Sequence, residues 1–141
     1  MTRPVRAAVI GCGYVFDHYM ATAAAHRGIE IVRLWDRNPE RLADASRYYR
    51  LAAAAGPEEI LDDPTIVLVI NLTSIESHFE VTRAALSAGK HVYCEKPLTT
   101  DMEEARSLFA MAAERGLMLA AAPCNLFSDT VQTMWRAVAD G

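Results

Sequence analysis

Val5-Arg6-Ala7-Ala8-Val9-Ile10-Gly11-Cys12-Gly13-Tyr14-Val15-Phe16 is the stretch on which the reading of this chain turns. A short apolar run, Val5 to Ile10, ends in two glycines one residue apart, and the next such run ends at Asp36. The physics of that pairing is specific. A strand enters a turn that no side chain can crowd, a helix begins, and its free N–H groups face an incoming pyrophosphate. An acid at the end of the following strand, about twenty residues on, stands where a ribose hydroxyl needs an acceptor. Phe16 takes the last position of this fingerprint, where a small residue is usual. Either the turn is wider than normal or the ring points away from it. The plainer alternative is a tight strand–helix turn that binds nothing.

The chain has 141 residues, 52% of them apolar, and a net charge of −4. That is one domain's worth of sequence with enough apolar material for a core. Its arginines, among them Arg3, Arg6, Arg27, Arg33 and Arg37, are dispersed. A nucleic-acid surface would need a basic stripe. No apolar stretch is long enough to span a bilayer. Arg3 and Arg6 precede an apolar run, but Gly11, Gly13, Asp17 and His18 break it, so it reads as a first strand and not as a leader. Cys12, Cys94 and Cys124 are odd in number and far apart. They point to a reducing, cytoplasmic setting, with neither a disulfide frame nor a zinc site.

Apolar runs rich in β-branched residues alternate with helical patterns, which predicts βαβ units and a parallel sheet. The runs are Val5–Ile10, Ile31–Trp35, Leu51–Ala54, Ile66–Leu72, His91–Cys94 and Leu117–Ala122. Helices are expected near residues 14–27, 38–49, 76–88 and 101–115. The continuous apolar character of Ile66–Ile70 fits a sheet covered on both faces. Asn38 and Pro39 suit the cap and first turn of the second helix. Thr100 with Glu103 reads as a capping box. Ala105, Leu108, Phe109 and Ala112 recur at helical spacing and should face the sheet. Gly89 and Gly116 sit where helices end. The alanine-rich stretches 21–25 and 52–55 read as tight packing positions. Ser128-Asp129 suits a last cap, followed by Val131, Met134, Trp135 and Val138 on one stripe. That stripe packs either on the sheet or on a further domain. The expected fold is therefore a doubly wound α/β structure, a Rossmann-type parallel sheet with helices on both faces.

A second cluster, Cys94-Glu95-Lys96-Pro97, follows the fifth apolar run. Ligands of open α/β sheets bind beyond the carboxyl ends of the strands. A lysine there can reach a nicotinamide or stabilise a developing alkoxide; the alternative is a solvated loop lysine. Lys96 is one of only two lysines in the chain, and Lys96–Pro97 is a candidate cis bond. Other polar residues have plainer readings. His18 lies on a helix face, structural or close to the cofactor. His26 sits at a helix end, and His91 is structural. Asp62-Asp63 is a solvated turn pair before Pro64. No grouping has metal-ligand spacing.

Taken together these residues resemble the Gfo/Idh/MocA family of oxidoreductases, which includes glucose–fructose oxidoreductase and inositol dehydrogenase. The resemblance rests on Val9-Ile10-Gly11-Cys12-Gly13 with His18, on Asp36-Arg37, and on Asn71-Leu72-Thr73 followed by His78. It rests above all on Ala88-Gly89-Lys90-His91-Val92-Tyr93-Cys94-Glu95-Lys96-Pro97. The resemblance implies an NAD(P)-dependent enzyme acting on a sugar, cyclitol or related polyol. It implies that Gly11, Gly13, Tyr14 and Val15 line the pyrophosphate turn and that Asp36 and Arg37 flank the adenine ribose. It places Leu72 and Thr73 beside the middle of the cofactor, with His78 near. Glu95 and Lys96 would meet the nicotinamide ribose and the reacting centre, with Lys96 the catalytic residue, and Asn125 would lie near the nicotinamide. Asp36 favours NAD, whereas Arg37 suits the 2′-phosphate of NADP; the expectation is NAD, with NADP open.

The departures matter too. Ser74 stands where the family often has proline, and Leu126 where an arginine often follows the asparagine. Leu126 leaves room for a non-sugar branch, similar to biliverdin reductase or dihydrodiol dehydrogenase. The fold also serves non-enzymatic dinucleotide sensors. By resemblance, residues 1–125 form the dinucleotide-binding domain, and residues 126–141 start a crossover helix toward a substrate domain. The chain alone is then expected to bind cofactor without complete catalysis. Oligomers in the family often form through that further domain.

Overall fold

The computed structural model describes residues 3–122 and 128–141. The strands are β1 (Val5–Ile10), β2 (Ile29–Trp35), β3 (Ala52–Ala53), β4 (Leu68–Asn71), β5 (His91–Cys94) and β6 (Leu119–Ala121). The helices are α1 (Phe16–Ala23), α2 (Pro39–Tyr49), α3 (Pro57–Leu61), α4 (Ile75–Ser87), α5 (Met102–Glu114) and α6 (Asp129–Asp140). The strands form one parallel sheet in the order β3-β2-β1-β4-β5-β6. From β1 the chain winds outward through β2 and β3, then returns to β1's other side and winds outward again. This is the doubly wound arrangement expected, and its reversal between β1 and β4 leaves a crevice at their carboxyl ends.

Strand β1 shows why the apolar runs are continuous. Ala7 and Val9 face a core shared with Phe16, Leu34, Ala45 and Leu72. Ala8 and Ile10 face the opposite core, shared with Ile60, Leu86, Val92 and Leu108. Side chains alternate across a strand, so the part of β1 covered on both faces, residues 7–10, is apolar at every position. Helices α1 and α2 cover one face, and α3, α4 and α5 the other.

The chemistry at the helix ends is partly as expected. Asn38 caps α2, its side chain accepting from the N–H groups of Glu40 and Arg41 at 3.0 and 3.1 Å. Gly89 and Gly116 take positive φ, 76° and 65°, after α4 and α5. At α5 the cap is Asp101 and not Thr100: its carboxylate accepts from the N–H groups of Glu103 and Glu104 at 2.8 and 2.9 Å. Thr99 takes part by accepting from the Asp101 N–H and donating to Glu104. Phe109 is exposed, while Leu108 and Ala112 turn inward as expected. Helix α1 is shorter than the pattern suggested, and residues 21, 24 and 25 are exposed, so that alanine run is not a packing surface. The five-residue α3 carries no periodic signal of its own. Helix α6 is capped by the Ser128 hydroxyl but has no buried residue. Its Met134, Trp135 and Val138 are exposed, so the stripe does not pack on the sheet. Among the described residues no helix is long and apolar enough to cross a membrane.

Lys90, the other lysine, is structural. Its ammonium donates to the carbonyls of Asp63 and Ile66 at 2.6 and 2.9 Å, closing the turn before β4. Leu108 is fully buried in the larger core. Leu108→Ala should lower unfolding stability by about 2–5 kcal/mol, read from urea denaturation.

Candidate functional site

The loops that follow β1, β2 and β4 converge on one cleft of about 460 Å³. Gly11 makes that convergence possible. Its φ is +102°, and a Cβ there would lie 2.5 Å from the Leu72 carbonyl carbon and 2.7 Å from the Thr73 nitrogen. The two backbones touch, and only a residue without a side chain permits it. Hydrogen bonds from Gly11 N–H to the Trp35 carbonyl and from Leu72 N–H to the Ile10 carbonyl, both 2.8 Å, lock the contact. Gly13 differs, since a Cβ there would meet nothing within 4 Å because the position opens onto the cleft.

Helix α1 begins at this turn, with Val15 as its N-cap and Asp17 in its first turn. Phe16 N–H bonds back to the Gly13 carbonyl at 3.0 Å. Among the described residues the N–H groups of Gly13, Tyr14 and Val15 have no acceptor. Donors of that kind at a helix start suit a pyrophosphate. Phe16 does not obstruct the site. Its ring is buried away from the cleft, edge-on to Tyr49 at 5.3 Å.

Asp36 ends β2 and is buried. Its carboxylate accepts from Cys12 N–H and Asn38 N–H, both at 2.7 Å, and from Arg41 Nε and Nη2 at 3.1 and 3.2 Å. Burial by itself would raise its pKa. The two backbone N–H bonds and the guanidinium outweigh burial and hold the carboxyl below its ordinary 3.8. The Cys12 thiol beside it is pushed up to about 12 by burial and by the Asp36 charge, so it is no nucleophile at neutral pH.

The cleft brings together Gly11, Gly13, Tyr14, Val15, Asp36, Arg37, Leu72 and Thr73. Sequence reading missed Trp35, Arg41, Ser74, Ser77 and Val81 on its walls. Arg41 was findable: it stands in the first turn of a helix that begins just past Asp36. The remaining expected residues lie elsewhere. His78 is buried behind the cleft, its ring spanning the carbonyl oxygens of Pro97 (2.6 Å from Nδ1) and Thr73 (3.0 Å from Nε2). It braces the loops after β4 and β5 against each other. Glu95 lies beyond β5, its Oε1 accepting from the Tyr19 hydroxyl at 2.7 Å and its Oε2 from Lys96 N–H at 2.9 Å. Burial, then the bond to Glu95, raises the Tyr19 phenol pKa. Lys96 is exposed and Lys96–Pro97 is cis. Asn125 and Cys124 lie outside the described residues. His18 is a helix-face residue, edge-on to Tyr14 at 5.9 Å, and His91 Nδ1 accepts from Met118 N–H at 2.9 Å.

The comparison with known families fits this geometry. The Gfo/Idh/MocA profile, described as an oxidoreductase family with an NAD-binding Rossmann fold, matches residues 5–122. The chain belongs to this family. Residues 5–122 are thus an NAD(P)-binding domain. A UDP-N-acetylglucosamine 3-dehydrogenase of Acidithiobacillus ferrooxidans is 32% identical over 133 residues, covering 94% of this chain and 41% of that protein. A 3-ketoreductase from Actinomadura kijaniata, solved with NADP and TDP-benzene, matches with a TM-score of 0.90 at 29% identity, over 99% of this chain and 43% of its own. GenD2 from gentamicin A biosynthesis, solved with NAD, matches with a TM-score of 0.92 at 25% identity, over 99% of this chain and 40% of its own. The chain spans about two fifths of the length of these relatives.

Two outcomes follow from the geometry of this cleft. Gly11→Ala combines a disfavoured φ with a backbone overlap, so it should cost roughly 3 kcal/mol by thermal or urea unfolding. Gly13→Ala should leave stability nearly unchanged. For Asp36 the folded pKa lies below the unfolded one, so the stability it confers is present above pH 3.8 and lost as pH falls through the lowered value. The acid limb of a melting-temperature profile should therefore be shallower in Asp36→Asn than in the wild type.

Proposed function

We propose that this chain is the cofactor half of an oxidoreductase that moves a hydride between nicotinamide and a carbinol carbon of a sugar, cyclitol or related polyol. The observation that carries the reading is the cleft at the β1/β4 reversal. Open backbone donors at Gly13–Val15 sit at one end of it and the Asp36 carboxylate at the other. The bound dinucleotide would supply the hydride acceptor or donor. The chain's own groups would do the rest. The turn N–H groups hold the pyrophosphate, and Arg37 and Arg41, the latter paired with Asp36, stand where the adenine ribose is received. Leu72 and Thr73 wall the middle.

Lys96 is assigned the catalytic role. Its exposed ammonium, beyond the carboxyl end of β5, would stabilise negative charge developing on the substrate oxygen. Glu95, held by Tyr19 and by the Lys96 N–H, would receive the nicotinamide ribose. A sugar or polyol substrate draws support from the names of the relatives, one a nucleotide-sugar dehydrogenase and another a 3-ketoreductase. Residues 126–141 fit the beginning of a connection to a substrate-binding domain, with the exposed Met134, Trp135 and Val138 of α6 as its contact.

The test is calorimetric titration of the chain with NAD(H) and NADP(H), then turnover on a polyol panel by the protein carrying its substrate domain. Lys96→Met should lower turnover by about 10²–10³-fold, a larger loss than that in cofactor affinity. Binding without turnover of any polyol would favour the non-sugar branch, binding with no turnover of any substrate a nucleotide sensor, and absence of binding would end the reading.

A further inference from the structure

The Asp36 carboxylate is fully subscribed before a ligand arrives. A carboxylate has about four acceptor positions. Here they are taken by Cys12 N–H and Arg41 Nε–H on Oδ2, and by Asn38 N–H and Arg41 Nη2–H on Oδ1. The two N–H bonds hold the turn after β1 and the start of α2, so they belong to the fold. A ribose hydroxyl can reach Asp36 only by displacing the guanidinium.

Arg41 has room to move. Its side chain is 45% exposed, and it forms the wall between the cofactor cleft and a second groove between α1 and α2. The charges around it are nearly all accounted for. Asp17 accepts from the Tyr49 hydroxyl at 2.7 Å, and Asp44 pairs with Arg47 at 2.6 Å. Arg37 stands on the cleft wall, with Glu76 of α4 close enough to feel its charge. An isolated carboxylate at this position repels a ribose 2′-phosphate. A carboxylate in a bidentate pair does not present that charge, and a guanidinium beside it is a phosphate ligand.

We propose that Arg41 sets the ribose specificity of this site, masking Asp36 so that the cleft accepts 2′-phosphorylated adenosine at least as well as the free ribose diol. Asp36 then acts as an anchor for Arg41, and its presence at the strand end does not select NAD. The proposal rests on the NAD(P)-binding reading of the cleft and specifies which cofactor it takes.

Calorimetry separates the two claims. The chain is titrated with AMP and with adenosine 2′,5′-bisphosphate, then with NAD⁺ and NADP⁺, as wild type and as the Arg41→Gln, Arg41→Lys and Arg47→Gln variants. Arg47 lies on the same helix and lines only the second groove. The wild type should bind each 2′-phosphorylated ligand as tightly as its partner or tighter. Arg41→Gln should shift the ratio toward AMP and NAD⁺ by about tenfold or more. Arg47→Gln should leave the ratio within about twofold, the remote effect of one screened charge. Arg41→Lys, which keeps charge but loses the fork, should shift the ratio the same way by less, and it carries the test if Arg41→Gln does not fold. A wild type that rejects the 2′-phosphate by about tenfold would overturn the proposal. So would variants at Arg41 with an unchanged ratio. Binding of none of the four ligands would remove the cofactor reading, and this proposal with it.

Discussion

The carboxylate of Asp36 is the tie on which the rest of the site depends. One oxygen receives the N–H of Cys12, in the turn after β1, and the other the N–H of Asn38, which caps α2. A single side chain thus sets the turn against the second strand and helix. Burial of such a group is tolerable only because its acceptor positions are filled. The backbone contact of Gly11 with Leu72 and Thr73 then sets the same turn against the loop after β4. With both ties made, three loops from three strands open on one cleft.

The loop after β5 is organised separately. Tyr19 reaches from α1 to Glu95, and the Glu95 carboxylate in turn accepts the Lys96 N–H. His78 spans the carbonyls of Thr73 and Pro97 from behind. These residues hold loop positions and leave the ammonium of Lys96 as the exposed charge of that loop. Neither Glu95 nor Lys96 lines the cleft formed by the loops after β1, β2 and β4. The buried cysteine thiols play no part in either arrangement. Burial raises the Cys94 thiol to about 11, which leaves it protonated and inert at neutral pH.

Much of this was legible in the sequence, for identifiable reasons. The strands announced themselves because burial on both faces demands continuous apolar runs, and Gly11 because only glycine fits a contact between two backbones. What escaped was local competition and long-range geometry. Thr100 and Asp101 are both good caps at adjacent positions, and the hydrogen bonds chose Asp101. Phe16 left two readings open, a wider turn or a ring pointing away, because the sequence does not say that its ring turns toward Tyr49. Helix α3 has five residues, fewer than two turns, too few to show a period.

The sequence by itself determined the doubly wound fold, the glycine turn, the acid at the end of β2 and the family these residues resemble. Each follows from a rule acting over a few neighbouring residues: alternation, capping, the absence of a side chain. The tertiary structure alone decided what Asp36 does. Its partner Arg41 stands close by in the first turn of α2, so the sequence shows that the two are near, but not that the guanidinium takes both carboxylate oxygens. Whether a carboxylate presents its charge or hides it depends on what the fold places within hydrogen-bonding distance, and that is a property of the assembled site.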